Sequence, residues 1–473
     1  MEVKQANATK LKADFFHGGP GKNSPTTGYT SDESSPLIGG NVAVVSPSEE
    51  STSGKTSTFG AVFIVVNACI GAGLLNFPSA YQAAGGVAVG TIMQVLFLFL
   101  IFSSLLVLAV CSDVRNSNSY QDMMQSMCGT AGNIACAVCV IIYCFGTCVT
   151  FFIIMGDQLD SILALATHND QTKYWYTDRK FTITVLAVCI VLPLCLPKNI
   201  SILKWPSSVG VIGTIYVAVV IIINYYLLPT NAATHIVTRP TSWTDVFAAV
   251  PTICFGFQCH ISAVPVYASL KQRTVGQFAW VITGALLIAT VTYVLTGIYG
   301  SLTFGDRVCS DVLLSYDSGN VTVTVARVMI LGNMLTSYPI LHFCGRLAIE
   351  TIYVTARKLP PAAAELTQTR RRIVETLSWF VLSLILALFV PTIGSVISVI
   401  GGLAAVFILV FPGLCLIQLA LNSASADSSK SKRRFQIVLG VVFAALGTFM
   451  FGESVTAALM VDFGVISGGT VDC

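Results

Sequence analysis

Eleven stretches of this chain are each apolar over nearly the length needed to cross a lipid bilayer, about 20 residues. They run at about 57–81, 86–111, 133–157, 181–197, 208–228, 244–270, 277–302, 322–346, 373–391, 395–420 and 435–460. The fourth is short, with Pro193 near its end. In hydrocarbon every backbone N–H and C=O must be satisfied by the protein itself, which for stretches of this length means helices. Only 10% of the 473 residues are charged, against about 25% in a soluble domain. The expected fold class is an all-α integral membrane protein with 11 transmembrane helices. The first 56 residues are polar, with no early apolar core, so the first span is expected to act as its own insertion signal.

Charge sets the orientation, because cytoplasmic loops collect Lys and Arg. With the N-terminus in the cytoplasm, all but six of the 26 Lys and Arg fall on the cytoplasmic side. The exceptions are Lys173, Arg179, Lys180, Arg239, Arg307 and Arg327. The C-terminus is then outside the cell or in an organelle lumen. Asp157 and Arg327 lie near span ends, from which their charges are expected to snorkel to water. Asn320-Val321-Thr322 is a glycosylation sequon on the non-cytoplasmic side. Cys309 and Cys473 fall on that side too, where oxidation can join them; most of the other cysteines lie inside spans and read as small packing residues.

Residues 1–56 are rich in Ser, Thr, Gly, Asn and Lys and cannot bury enough apolar surface to fold. This tail carries Glu33-Ser34-Ser35-Pro36-Leu37-Ile38. Glu33, Leu37 and Ile38 resemble an acidic dileucine sorting signal, which would engage an adaptor complex and direct the chain to endosomes and lysosomes. Beyond the tail, residues 57–228 and 244–420 hold five spans each, and 435–460 is the eleventh. An odd number per set forces the second set to run opposite to the first, as in a 5+5 inverted repeat.

Spans one and six are interrupted at matching places. Span one carries Gly71-Ala72-Gly73 before Pro78, and span six carries Phe255-Gly256-Phe257 between Pro251 and Pro265. Unwound backbone in a membrane is tolerated where it lines a cavity or is buried in protein. Paired breaks in the two halves mark a secondary transporter's binding site. The N–H groups that open each second half favour an anion such as an amino-acid carboxylate. The carbonyls that close each first half suit a cation or an ammonium group. Asn67 lies one turn before the break, and Thr336 and Ser337 sit beside Pro339 in the eighth span. Their oxygens are candidates for a Na⁺ cage. His260 follows the sixth-span break, and Glu453 lies inside the last span; either could carry a proton. His342 reads as structural, and Tyr143, Gly146 and Thr147 are candidate pocket residues.

The stretch from Asn67 to Pro78 resembles the first-span motif of the sodium-coupled neutral amino acid transporters, within the amino acid/auxin permease family. Pro251 through His260, followed by Val264-Pro265-Val266-Tyr267, is similar to their sixth span, and Thr336 through Arg346 to their eighth. The similarity runs from about 56 to 462 and is closest to the family's lysosomal glutamine and asparagine type. The resemblance implies broken spans one and six that carry substrate, and alternating access. It places Asn67 in the sodium site with either Thr336 or Ser337, the register by Pro339 favouring Ser337. His260 matches the family's sixth-span Cys-His pair, but Ile261 follows where many members have Pro.

The expected function is secondary active transport of small neutral amino acids, glutamine and asparagine favoured, across the lysosomal membrane, with the plasma membrane as the alternative. Na⁺, H⁺ or both would couple; no cofactor is expected. The rival reading is an amino acid sensor signalling through its tail. There is no nucleotide-binding loop, no nucleophile–base set and no sign of nucleic-acid binding, so an enzyme is not expected. The partners are substrate, lipid and an adaptor.

Overall fold

The computed structural model describes residues 56–167, 175–197, 204–228, 235–357, 361–390, 392–422 and 430–462. The tail signal at Glu33, Leu37 and Ile38 and the C-terminal Cys473 lie outside the described residues. The described chain is almost entirely helical. Nine of its helices are long and apolar enough to cross a membrane, and a bent pair, Thr58–Cys69 with Ala72–Ala83, makes a tenth. The expected fourth span is helical as Arg179–Leu186, a π turn at Ala187–Val191 and Leu192–Cys195, which are 8, 5 and 4 residues long. Together these fall short of about 20 residues, so the count of eleven is not confirmed.

Polar side chains set where helices begin. Ser57, Ser119 and Thr274 each accept a hydrogen bond from a backbone N–H in the first turn that follows, satisfying donors that a helix start leaves open. The helix Tyr120–Ala166 is kinked at Gly129, whose φ of 70° is one that glycine adopts without strain. Val406–Val410 forms a π turn, and the Tyr120 hydroxyl donates to the Phe407 carbonyl there at 3.2 Å.

Long helices pack around the two broken spans. The first half of span one packs against span seven, Val275–Phe304, and span three, Tyr120–Ala166, packs along span eight, Val321–Arg357. Ile393–Asn422 packs on the first half of span six and on the last helix, Lys430–Asp462. Ile92, Phe99, Trp280 and Val438 are exposed. Large apolar side chains turned outward on long apolar helices suit a lipid surface.

Candidate functional site

The first helix of span one ends at Cys69, and its last i→i−4 bond runs from Ile70 N to the Val66 carbonyl at 2.7 Å. Ile70 is extended, Gly71 follows at φ −153° and ψ −147°, and Ala72–Asn76 forms a 3₁₀ turn. Phe77–Ala83 then resumes the helix with Pro78 in its first turn, where a missing N–H costs nothing. The two halves are bent by 49°. Span six runs Val250–Gly256, breaks at Phe257 to Cys259, and resumes as His260–Ser269. The breaks face each other: a Cβ on Gly73 would lie 3.1 Å from Gly256 Cα and 3.2 Å from Phe255 Cδ1. Only glycine lets these backbones approach so closely.

One hydroxyl crosses both breaks. Tyr293 Oη of span seven lies 2.7 Å from the Cys69 carbonyl and 3.0 Å from the Gly256 carbonyl. Its ring stacks on Phe77 with centroids 4.3 Å apart. The single hydroxyl proton is therefore shared between two carbonyls that the sequence left for a cation or an ammonium group.

The other side of the break is open. Gly71, Ala72 and Gly73 line a cavity of about 120 Å³, not far below the ~150 Å³ that holds one benzene. A Cβ on Gly71 would meet nothing within 4 Å. Amides that begin a helix lack partners of their own, so this wall suits a carboxylate. Phe255, Tyr143 and Thr147 line the same cavity, as do Gln258, Ser262 and Asn333, which the sequence reading missed. Gln258 is a polar residue inside an apolar span, and that was the available signal.

Asn67 and Ser337 both line the cavity, and Thr336 does not. The Thr336 hydroxyl instead donates back to the carbonyls of Asn333 at 3.0 Å and Gly332 at 3.3 Å. Ser337 Oγ donates to Asn333 Oδ1 at 3.2 Å. Asn333 Nδ2 in turn donates to Thr214 Oγ1 at 3.2 Å, and Thr214 donates to the Gly210 carbonyl at 3.0 Å. This chain fixes the Asn333 amide with its oxygen towards Ser337. Among the described residues no group of His, Cys, Asp or Glu could hold a metal ion. The oxygens of Asn67, Ser337 and Asn333 are hard, neutral donors, which fit an alkali cation.

Gly256, Phe257 and His260 do not line the cavity. His260 is fully buried, and its Nε2 lies 2.8 Å from Ser104 Oγ. The Ser104 proton goes to the Ile101 carbonyl, so His260 Nε2 is the donor and Nδ1 is the bare nitrogen, which has no partner. His342 is buried between Tyr338 and Trp379. Glu453 lies half-buried in the last helix, away from the cavity, and a Cβ on Gly146 would strike Ile400.

Ties join the broken spans at both faces. On the face where residue 56 begins the described chain, Thr56 N donates to the Ser269 carbonyl and Lys271 N donates to the Thr56 carbonyl, each at 3.0 Å. On the far face, Thr252 Oγ1 donates to Asn76 Oδ1 at 2.7 Å, and Asn76 Nδ2 donates to the Ser310 carbonyl at 2.9 Å. The next residue, Asp311, is buried and accepts from Gln158 Nε2 at 2.6 Å and from Leu313 N at 2.9 Å. Burial, with the Asp157 charge nearby, pushes its carboxyl up to about 7.

Arg327 does not snorkel. It is buried, and its Nη2 donates to the carbonyls of Leu313 and Tyr316 at 3.0 and 2.9 Å. A fixed loop supplies those carbonyls, and a solvated guanidinium would forfeit both. Asp157 also stays in the protein, paired with Arg179 at 2.6 Å. Asn320 caps span eight through Oδ1, and its Nδ2 donates to Asn224 Oδ1 at 2.8 Å. Cys309 is disulfide-bonded.

The fold and site together define a polytopic helical membrane protein built around two broken helices and a cavity at the first break. The chain belongs to the transmembrane amino acid transporter family, whose profile matches residues 54–456. It is 49% identical over 414 residues to sodium-coupled neutral amino acid transporter 7 of Bos taurus, covering 86% of this chain and 89% of the relative. The Homo sapiens protein of that name is also 49% identical, over 413 residues, with the same coverage. The putative sodium-coupled neutral amino acid transporter 8 of Xenopus tropicalis is 38% identical, covering 85% of this chain and 93% of its own length. Family and relatives are transporters, not enzymes.

Proposed function

We propose that this chain is an ion-coupled secondary transporter of small neutral amino acids, glutamine and asparagine foremost, working by alternating access across the lysosomal membrane. The observation that carries the reading is the cavity itself. It sets the Gly71–Gly73 wall, fit for a carboxylate, beside the oxygens of Asn67 and Ser337, fit for Na⁺. The relatives' names, sodium-coupled and neutral amino acid, support the same pairing. Protons are the second candidate, through His260 or Glu453. Both lie off the cavity, so Na⁺ is the first choice.

The test is radiolabelled glutamine flux in proteoliposomes, with Na⁺ and pH gradients imposed separately. Flux that follows Na⁺ supports the cage, and flux that follows pH alone moves coupling to His260 and Glu453. Binding without flux under either gradient would refute transport and favour a sensor.

We place the N-terminus in the cytoplasm and the C-terminus in the lumen, with the tail signal at Glu33, Leu37 and Ile38 recruiting an adaptor. Replacing those three residues with alanine should move the protein to the plasma membrane; unchanged lysosomal staining would count against the signal. On this orientation Asn320 is a lumenal glycan acceptor and Cys473 is the partner of Cys309. A glycosidase-induced gel shift and a non-reducing peptide map are the respective checks.

A further inference from the structure

Gln258 sits in the break of span six, between the helices ending at Gly256 and beginning at His260. It is 8% exposed, lines the cavity, and neither its Oε1 nor its Nε2 has a hydrogen-bond partner. Gln94 Nε2, Gln121 Nε2 and Gln158 Oε1 also lack a partner, but several buried carboxamides are paired at both ends. Asn76 holds Ser310 and Thr252, and Asn333 holds Thr214 and Ser337. Gln82 donates to the Ser301 carbonyl and accepts from Val237 N. Among the described residues, Gln258 is the only Asn or Gln whose two side-chain polar atoms are both shut off from solvent and both without a partner.

Buried polar groups are nearly always hydrogen-bonded, and an exception calls for a partner. The partner here must supply a donor and an acceptor side by side, inside a small cavity. A primary carboxamide does so: two of them pair head to head through two antiparallel N–H···O=C bonds. A carboxylate offers acceptors only, and would set its charge against Oε1. An apolar side chain would leave both ends unpaired.

We propose that Gln258 reads the side-chain carboxamide of the substrate, selecting glutamine and asparagine over methionine, alanine and glutamate. This rests on the transport reading above, which places the substrate's carboxylate at Gly71–Gly73. The sixth-span break then recognises the side chain, while the first-span break holds the part common to all amino acids.

The test uses the purified full chain and two readouts. The first is the ratio of glutamine to methionine kcat/KM in proteoliposomes, for wild type and Gln258→Met. A site built to hydrogen-bond its substrate rejects analogues that cannot pair, by large factors, so the ratio should fall by roughly 100-fold. A ratio within about threefold of wild type would overturn the proposal. The second readout is thermal stabilisation of the detergent-solubilised protein by glutamine and by methionine, which needs no flux. Stabilisation by glutamine that Gln258→Met removes would uphold the role of Gln258 even if flux failed and refuted transport. Equal stabilisation by glutamine and methionine in the wild type would overturn it. If Gln258→Met does not fold, Gln258→Asn keeps the carboxamide but withdraws it by one methylene. That variant should shift preference towards glutamine, the longer amide, by about tenfold over asparagine; an unchanged ratio counts against the pairing.

Discussion

Two glycines two residues apart should fail in different ways when replaced by valine. At Gly71 the φ of −153° is open to any residue, and an added Cβ meets nothing within 4 Å. Gly71→Val should therefore fold and melt much as the wild type does. Its side chain projects into space beside the amides proposed to bind the substrate carboxylate. A hydrogen bond to a charged group contributes about 1.5–3 kcal/mol. At 1.36 kcal/mol per factor of ten, blocking one such bond lowers kcat/KM for glutamine by about 10- to 150-fold, and blocking more abolishes uptake. At Gly73 the added Cβ would lie 3.1 Å from Gly256 Cα and 3.4 Å from Gly256 N. Those are backbone atoms and cannot rotate away. Overpacking of this kind costs about 1–3 kcal/mol, so Gly73→Val should melt earlier and lose function through its fold. Fluorescence-detected size-exclusion melting and glutamine uptake in proteoliposomes, run on both variants, separate the cases. Wild-type-like uptake by Gly71→Val, or equal losses of stability at the two sites, would refute the reasoning.

Two further predictions follow from single side chains. Ser337→Ala should raise the Na⁺ concentration for half-maximal uptake about tenfold or more, since it removes an oxygen from the cation, whereas Thr336→Ala should not, because the Thr336 hydroxyl already bonds to its own helix; Na⁺ titrations of both variants decide, and equal responses would remove Ser337 from the cage. Asp311 titrates near 7 in the folded protein and near 4 when unfolded, so the folded state holds the proton more tightly. Its stabilising contribution is complete below about pH 4 and is lost as pH rises through 7, by on the order of 4 kcal/mol. Asp311→Asn, whose amide nitrogen can donate to the unpaired Gln158 Oε1, should flatten the fall in melting temperature between pH 5 and 8, and an unchanged slope would refute this.

The fold was legible in the sequence because hydrocarbon leaves few choices. A long apolar run of this length reads as a helix, and Gly-x-Gly in one span matched by Phe-Gly-Phe at the corresponding place in another reads as a pair of breaks. The same signal could not confirm the fourth span, where a π turn and Pro193 fall within a segment already short. The site was legible only in outline. Gly71, Ala72, Gly73, Phe255, Asn67 and Ser337 share the cavity, but His260, at a break and chemically versatile, turns its ring to Ser104 instead. Which way a side chain faces within a broken segment depends on backbone angles that no helical periodicity supplies. Tyr293 was invisible for another reason. Its role depends on two carbonyls more than 30 residues away in sequence, joined only once the breaks meet. Arg327 was misread because proximity to a span end does not reveal a loop that folds back to offer its Nη2 two carbonyls.

The connections between the two broken spans differ in kind along their length. At the centre Gly73 meets Gly256 through backbone packing, beside the Tyr293 hydroxyl shared by Cys69 and Gly256. At the ends the ties are a few hydrogen bonds: Thr56 with Ser269 and Lys271 on one face, and Thr252 with Asn76 on the other. A neutral hydrogen bond contributes about 0.5–1.5 kcal/mol net, so parting the Thr56 end, with two bonds, costs roughly 1–3 kcal/mol in direct bonds, and parting the Thr252 end, with one, costs about 0.5–1.5 kcal/mol. Packed interfaces do not deform continuously, and the glycine contact at the centre has no flexible side chain to yield. The arrangement is therefore weakest where each face would open and stiffest where the cavity wall is formed. Under the alternating access proposed above, helices so joined would part at one face or the other while keeping Gly71–Gly73 and Gln258 in register around one substrate.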